Sequence, residues 1–448
     1  MTSLRALKEK TAWRATAPAI LIVLNTFAWY ILTYTNFSEI LNELTFGGNE
    51  KLGLFTIYYI GVAVSALVGS KIFPRACAKS LIVWLFMGAI ATSLLVFIPN
   101  NSSLLITGLL AFFFGSSVGI GLPSCLSFFA EATSVENRGF VGGLTWSAVG
   151  FTVLVFAFSL NLLGTLETIL ALAGLRFLGG AGFLILNKKQ EDHTFAVQES
   201  TSYLELIRKR ELLLYLVPWI LLSLINFAEA PLVETSVGRV FDEAAFPFFQ
   251  LVGFVFIGIV AVIGGTIADL VGRKRVVIAG FVMLGIEYAA LSAFSESASA
   301  LYLFLILDGI TWGLLVSVFF MAVWGDLSEN REKEKYYLLG GLPYLLSNFM
   351  YVIIKPIAGG ISLTAAFSFA SFFLFLAVLP LMYAPETLPE KILKERELKN
   401  YIEKAKKEAT KVLDKEDENP EKEDMDDGVE IEANQDLEEI LKAAEKYS

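Results

Sequence analysis

The chain of 448 residues has one histidine, His193, and two cysteines, Cys77 and Cys125. A single imidazole cannot build a His-based metal site or a Ser-His-Asp arrangement. Cys77 falls between two apolar runs and Cys125 inside another, so no disulfide between them is expected. Charge is scarce as well: Asp, Glu, Lys and Arg make up 18% of the chain, against roughly 25% in soluble domains. No phosphate-binding loop of the Walker type occurs, so nothing links the chain to ATP. These gaps argue against an enzyme, a cofactor, a metal centre or a nucleic-acid partner.

What remains is apolar. Hydrophobic residues reach 55%, with 37 phenylalanines, and the mean hydropathy is +0.62. A bilayer core of roughly 30 Å needs about 20 apolar residues per helix. That ruler gives twelve spans, near 18–37, 52–70, 80–98, 103–128, 140–163, 168–187, 212–232, 246–268, 276–294, 300–322, 337–357 and 363–384. The runs are too long, and lack the alternation, for a membrane barrel. The first run begins after Arg14 and is long enough to stay in the membrane, so no cleavable signal is expected.

Lys and Arg fall on one side of this pattern. One set of connections carries 19 cations ahead of the tail, and the opposite set carries Lys51 and Arg239. The positive-inside rule makes the first set cytoplasmic, with both termini inside, in a multi-pass protein of the plasma membrane. Of the formal charge of −10, residues from Pro385 onward hold −9. The tail therefore reads as a solvated, partly helical and partly disordered extension. Glu395/Lys399 and Glu403/Lys407 are spaced to support a helix, and Leu437, Ile440, Leu441 and Ala444 share one face.

Gly265, Asp269, Gly272, Arg273, Lys274 and Arg275 form a charged loop between two spans, and Gly69-Ser70-Lys71 is a shorter echo 196 residues upstream. Glu131 and Arg138 follow the fourth span, and Asp326-Leu-Ser-Glu329-Asn330-Arg331 repeats the Glu-Asn-Arg triplet at an offset of 193. After the last span comes Pro385-Glu386-Thr387. Together these residues resemble the major facilitator superfamily over residues 1 to about 390. The cytoplasmic motifs are most similar to those of its sugar-porter branch. The resemblance implies an all-α membrane fold of two pseudo-symmetric six-helix bundles: an N-terminal bundle over 1–187, a linker over 188–211, a C-terminal bundle over 212–385 and an acidic tail over 386–448. It also implies a cytoplasmic gate at Asp269, Gly272, Arg273, Arg275, Glu131, Arg138, Asp326, Arg331 and Glu386. Short carboxylates and forked guanidinium groups at helix ends suit that role. As exposed pairs, each would contribute only ~0–1 kcal/mol.

Ionisable residues inside spans are expensive and mark candidate sites. Five stand out: Arg176, Glu229, Glu287, Asp308 and Lys355. Asp308 shares a helical face with Thr311 and Trp312, Ser223, Asn226 and Glu229 recur at threes, and Tyr344, Asn348, Tyr351 and Lys355 form a stripe. In the first span Asn25, Trp29 and Thr33 recur at fours, beside Tyr30 and Tyr34. The resemblance places the first, fourth, seventh and tenth spans around a central cavity, joined by the second, fifth, eighth and eleventh. The candidate cavity residues are then Asn25, Trp29, Asn226, Glu229, Asp308, Trp312, Asn348 and Lys355. Arg176 and Glu287 lie on spans the family places at the periphery and read as a structural ion pair or polar contact. Without an intramembrane histidine, carboxylates are the groups available to carry protons near neutrality, which nominates Asp308 and Glu229 for proton coupling.

These observations predict a monomeric, twelve-span secondary transporter that moves a small organic solute by alternating access, with a proton as candidate coupling ion. Two alternatives stay open: a non-transporting sensor or scaffold of the same fold, and a drug or metabolite efflux antiporter. The seventh span lacks the paired glutamines common in sugar porters, and the fifth lacks the Gly-Pro of drug/proton antiporters. A channel is weakened by the absence of a repeated charged ring or carbonyl filter. Pro123, Pro218, Pro231 and Pro343 sit within spans, where they permit kinks.

Overall fold

A chain crossing lipid must satisfy its backbone hydrogen bonds within each segment, which favours helix over every other open structure. The structure, a computed structural model, describes residues 11–72, 78–99, 103–187, 202–242, 245–328, 333–389, 394 and 398. Each apolar run forms a helix: α1 Trp13–Glu43, α2 Gly48–Ile72, α3 Ala78–Phe97, α4 Leu104–Ala132, α5 Arg138–Leu160, α6 Thr165–Asn187, α7 Arg210–Val240, α8 Ala245–Val271, α9 Arg273–Phe294, α10 Ala298–Ser328, α11 Lys333–Gly360 and α12 Leu363–Tyr383. All twelve are long and apolar enough to cross a membrane, and together they make a multi-pass membrane protein.

Several helices outrun their apolar stretch. Both α1 and α7 have 31 residues, about 46 Å at 1.5 Å per residue, so their polar ends continue beyond a hydrocarbon core of roughly 30 Å. Where irregularity occurs it follows the sequence. The regular turns of α4 break between Gly119 and Leu122, just ahead of Pro123, whose ring supplies no N–H to the preceding turn. Residues Val316–Val323 of α10 wind as a π-helix, a form that recurs at functional sites. The last turns of α11, Lys335 being far behind, tighten to a 3₁₀ helix over Lys355–Gly360.

The twelve helices lie in one compact unit, Met1–Leu388; Pro389–Ser448 is a second unit, nearly all of it outside the described residues. The expected tail helix and its amphipathic end lie outside the described residues, as do Cys77 and His193.

Helix pairing repeats at a step of six. In the first half α2 packs on α4, α3 on α4 and α6, and α1 on α5 and α6; in the second, α8 packs on α10, α9 on α10 and α12, and α7 on α11 and α12. Contacts between the halves obey the same exchange, since α5 on α8 corresponds to α11 on α2, and α5 on α10 to α11 on α4. The α5–α8 seam is tight because it is lined by glycine. A Cβ on Gly139 would come within 2.6 Å of the Gly265 carbonyl oxygen, and one on Gly265 would overlap the Gly139 carbonyl.

Candidate functional site

Charge collects where α5, α8, α9 and α10 end together. Asp269, at the close of α8, is buried and accepts from the backbone N–H groups of Gly139 at 3.0 Å and Phe140 at 2.6 Å. These are donors of the first turn of α5, which have no partner within their own helix, and the helix N-terminus favours the carboxylate's charge. Arg273, one turn further along the chain, also donates to Asp269. Its Nε reaches Asp326 at 3.1 Å and its Nη2 the Val135 carbonyl at 2.7 Å. Arg138 binds the other Asp326 oxygen and donates to the Ala130 carbonyl at 2.7 Å.

Glu386 repeats the capping device on α9, accepting from the N–H of Arg273 at 2.7 Å and of Lys274 at 3.2 Å. The turn that brings α9 under Glu386 passes through Gly272 at φ 111°, where a Cβ would also stand 2.5 Å from a Glu386 oxygen. Arg275 is exposed and stands outside this network. Arg331 lies outside the described residues.

Among the described residues two ion pairs join the halves, and they are images of one another. Asp326 of α10 binds Arg138 of α5, and Glu131 of α4 binds Lys333 of α11 at 3.9 Å. Both members shift by 195 residues between the pairs. Burial is unequal: the Arg138 and Asp326 side chains are 4% and 0% exposed, those of Lys333 and Glu131 19% and 20%. The expectation of exposed, weak pairs is thus corrected for Arg138–Asp326. Removal of one partner from a buried pair strands a charge, at about 3–5 kcal/mol. Sequence reading also missed Lys333, although its offset from Arg138 equals that of Asp326 from Glu131.

Further into the bundle, aromatic rings link the halves. Phe27 of α1 and Trp146 of α5 lie 4.9 Å apart, Phe27 and Phe320 of α10 5.2 Å, Trp219 of α7 and Phe320 5.8 Å, and Phe320 and Tyr344 of α11 5.3 Å. Phe27, Trp146 and Phe320 carried no distinguishing signal among so many aromatics. Trp312 meets Tyr344 at 5.7 Å and stands one turn along α10 from Asp308. Asp308 is half-buried and acts electrostatically on Tyr344 of α11. Asn226 is half-buried and Glu229 buried on α7.

The candidate cavity residues therefore separate into three groups. Asp308 and Trp312 stand one turn apart on α10, and Asn226 and Glu229 lie one turn apart on α7. Asn25 and Trp29 do not join them, which corrects their assignment to the cavity. Both are buried within the first half against Arg176, whose Nη1 donates to Asn25 Oδ1 and Thr26 Oγ1, each at 3.0 Å. The guanidinium lies 4.2 Å from the Trp29 ring and 4.4 Å from that of Trp84, and the Trp29 indole donates to Thr92 at 2.9 Å. Arg176 makes polar and cation–π contacts and no ion pair among the described residues. The face of α1 turned to the second half carries Phe27, Tyr30 and Tyr34 instead.

The third group lies toward the opposite end. Lys355 is exposed and bound to Glu234 at 3.2 Å and Tyr351 at 2.9 Å, and Tyr351 donates to Glu234 at 2.8 Å. Asn348 is half-buried, and the hydroxyls of Tyr34 and Tyr59 lie 2.6 Å apart. Lys355 thus stands in a salt link, which corrects its placement in the cavity.

No protein-family description matches the sequence, and no curated protein matches it. Solved structures do match. A proton:xylose symporter of the major facilitator superfamily, XylE, bound to 6-bromo-6-deoxy-D-glucose, is 16% identical, with 84% of this chain and 96% of that one covered and a TM-score of 0.60. A bacterial homologue of the iron transporter ferroportin in its outward-facing state gives 15%, 82%, 96% and 0.62. FucP, a major facilitator transporter in the outward conformation, gives 13%, 83%, 99% and 0.62. Identities this low show the fold alone, and the fold of these transporters is the one this chain adopts.

Proposed function

We propose that this protein is a secondary transporter of the major facilitator superfamily, resident in the plasma membrane with both termini cytoplasmic. It moves a small organic solute by alternating access between its two halves. The observation that carries this reading is the pair of inter-half ion links, Arg138–Asp326 and Lys333–Glu131, exchanged by the same step of six helices that relates the halves. A joint of this kind opens and closes as a unit, because the ionic groups are held by the helix ends that must separate. Asp269 adds a third tie, from α8 to the start of α5. With these ties made, the charged end is shut, as suits the outward-facing state of two of the matched structures.

Between the ties and the outer Tyr34–Tyr59 contact lie Glu229, Asp308 and Trp312, the groups suited to meet a solute. Asp308 and Glu229 are also the groups suited to carry a coupling proton, a role supported by the proton-coupled symporter among the matched folds. Reconstituted protein should drive solute flux that saturates and that is altered by a pH gradient. Asp308→Asn protein that still accumulated solute with unchanged dependence on the gradient would overturn the coupling assignment. Complete absence of flux for every sugar, amino acid, carboxylate and amine tried would favour a sensor or scaffold.

A further inference from the structure

Tyr288 of α9 is within electrostatic reach of Glu229 of α7, the adjoining Glu287 and Asp308 of α10, and it packs on Phe304 of α10 with ring centroids 5.9 Å apart. Glu287 is fully buried, neither of its carboxylate oxygens has a hydrogen-bond partner, and Asp308 is the charged group acting on it. Glu229 is buried with Oε2 unpartnered, and the Thr311 hydroxyl, one turn from Asp308, is buried and unpartnered too. Among the described residues no cation answers this cluster. Helices α8, α10 and α12 pack on α9. Within these helices α12 carries no charged residue, α8 carries Asp269 at its far end, and α10 carries Asp308 and, at the charged end, Asp326. The cations of the bundle are engaged elsewhere, Arg176 with Asn25 and Lys355 with Glu234.

Resting on the transport reading above, we infer that this cluster recognises a positively charged organic solute, an ammonium or similar monocation carrying an aromatic or compact apolar group. Unpaired carboxylates in an apolar interior are costly to keep, and an incoming positive charge removes that cost. Asp308 is the partly accessible member and makes the direct contact. Glu229 of α7 and Glu287 of α9 both act electrostatically on Tyr288, as Asp308 does, and Glu287, fully buried and without a hydrogen-bond partner, lies within the electrostatic reach of Asp308. Trp312, one turn along α10 from Asp308, packs on Tyr344 at 5.7 Å with the ring planes inclined by 60°, and a cation bound at Asp308 gains from the aromatic rings there. A metal ion is the poorer fit, because among the described residues no three His, Cys, Asp or Glu side chains converge closely enough to hold one.

The test uses purified full-length protein and phenyltrimethylammonium as probe, with uncharged dimethylphenylcarbinol as its counterpart of similar shape. Calorimetry should show saturable binding of the cation, with the alcohol at least about tenfold weaker. Asp308→Asn should weaken the cation by about tenfold or more, and Asp308→Glu should restore most of it, which separates lost charge from misfolding. Glu229→Gln should weaken it as well. Equal binding of the alcohol, undiminished binding by Asp308→Asn, or no binding of the cation would overturn the inference. Proteoliposome uptake keeps this separate from transport itself. Binding without uptake removes the transport reading and leaves the site, whereas flux of an uncharged solute with no cation binding removes the site and leaves transport.

Discussion

Replacing Asp269 with Asn is the most direct way to loosen the charged end. The carboxylate accepts from Gly139 and Phe140 at the start of α5 and from Arg273 of its own half. Asparagine keeps one carbonyl oxygen, so one backbone N–H loses its acceptor, and the negative charge that faced a helix N-terminus is gone. Arg273 keeps Asp326 and the Val135 carbonyl, so the second half stays intact and the loss falls on the joint between halves. A hydrogen bond to a charged group contributes about 1.5–3 kcal/mol net, and the helix-terminus interaction a further 0.3–1 kcal/mol or so. With one acceptor retained, the closed arrangement should lose about 2–3 kcal/mol, which is roughly a 30- to 150-fold change in the ratio of open to closed.

Met321 reports that ratio. It is buried against the position a Cβ of Gly142 would take on α5, at the seam that parts when the charged end opens. In a chain with Cys77→Ser, Cys125→Ser and Met321→Cys, labelling by a membrane-impermeant maleimide from the charged side requires opening. When closing outpaces labelling, the rate follows the open population. Asp269→Asn should raise it by more than about tenfold while leaving the helical content unchanged. A rate that stays within about twofold, under 0.5 kcal/mol by the same conversion, would refute the reasoning, because Asp269 would then contribute nothing to the joint.

Other changes probe neighbouring steps. Gly265→Val places a side chain on the Gly139 carbonyl, and overpacking of about 1–3 kcal/mol should raise Met321→Cys labelling and lower thermal stability together; unchanged labelling would show that the seam yields freely. A double-mutant cycle on Arg138→Gln and Asp326→Asn should return a coupling above ~1 kcal/mol, and the equivalent cycle on Glu131→Gln and Lys333→Gln one below ~1 kcal/mol, with the reverse ranking sinking the burial argument. Asn25→Ala takes an acceptor from buried Arg176 and should cost about 1.5–3 kcal/mol of stability without altering solute affinity. A changed affinity at constant melting temperature would return Asn25 to the cavity. Removal of residues 391–448 should leave most of the flux, and loss of flux would point to a tail that signals or assembles the protein.

Much of this was legible because lipid simplifies the code. Twelve apolar runs had to be twelve helices, and a carboxylate four residues before an arginine on a charged loop could be placed at a helix end. Duplication was visible in Glu131 and Arg138 against Asp326 and Arg331. Pairing was not, since spacing along one chain does not say that each acid reaches across to the other half, as Asp326 does to Arg138. Helix faces were the second blind spot. In α1 both the 25/29/33 stripe and the Phe27–Tyr30–Tyr34 stripe are compatible with a lining role. The polar one turned inward on its own half because Arg176 there needs acceptors and aromatic faces. Glu287 reads as a structural polar contact on a peripheral span, yet it is fully buried with neither carboxylate oxygen partnered, within the electrostatic reach of Asp308.

Symmetry also sets out where the two halves have diverged. At the offset of 196 that relates Gly265 to Gly69 the counterpart of Asp269 is Phe73, so only one half can cap the opposing α5 in this manner. Among the described residues the ion pair on the α11 side is Glu131–Lys333, longer and partly exposed, and solvent screening holds such a pair to ~0–1 kcal/mol. The α5 side holds a buried ion pair and a buried carboxylate with two backbone donors, each able to supply more than that alone. Opening of the charged end is therefore governed by the α5–α8–α10 corner, and the α4–α11 corner follows it. Substitutions that strengthen Glu131–Lys333, such as Lys333→Arg, should slow Met321→Cys labelling little, whereas any change at Asp269, Arg138 or Asp326 should move it strongly. An equal response at both corners would mean that the ties share the load and that the asymmetry in burial has no mechanical consequence.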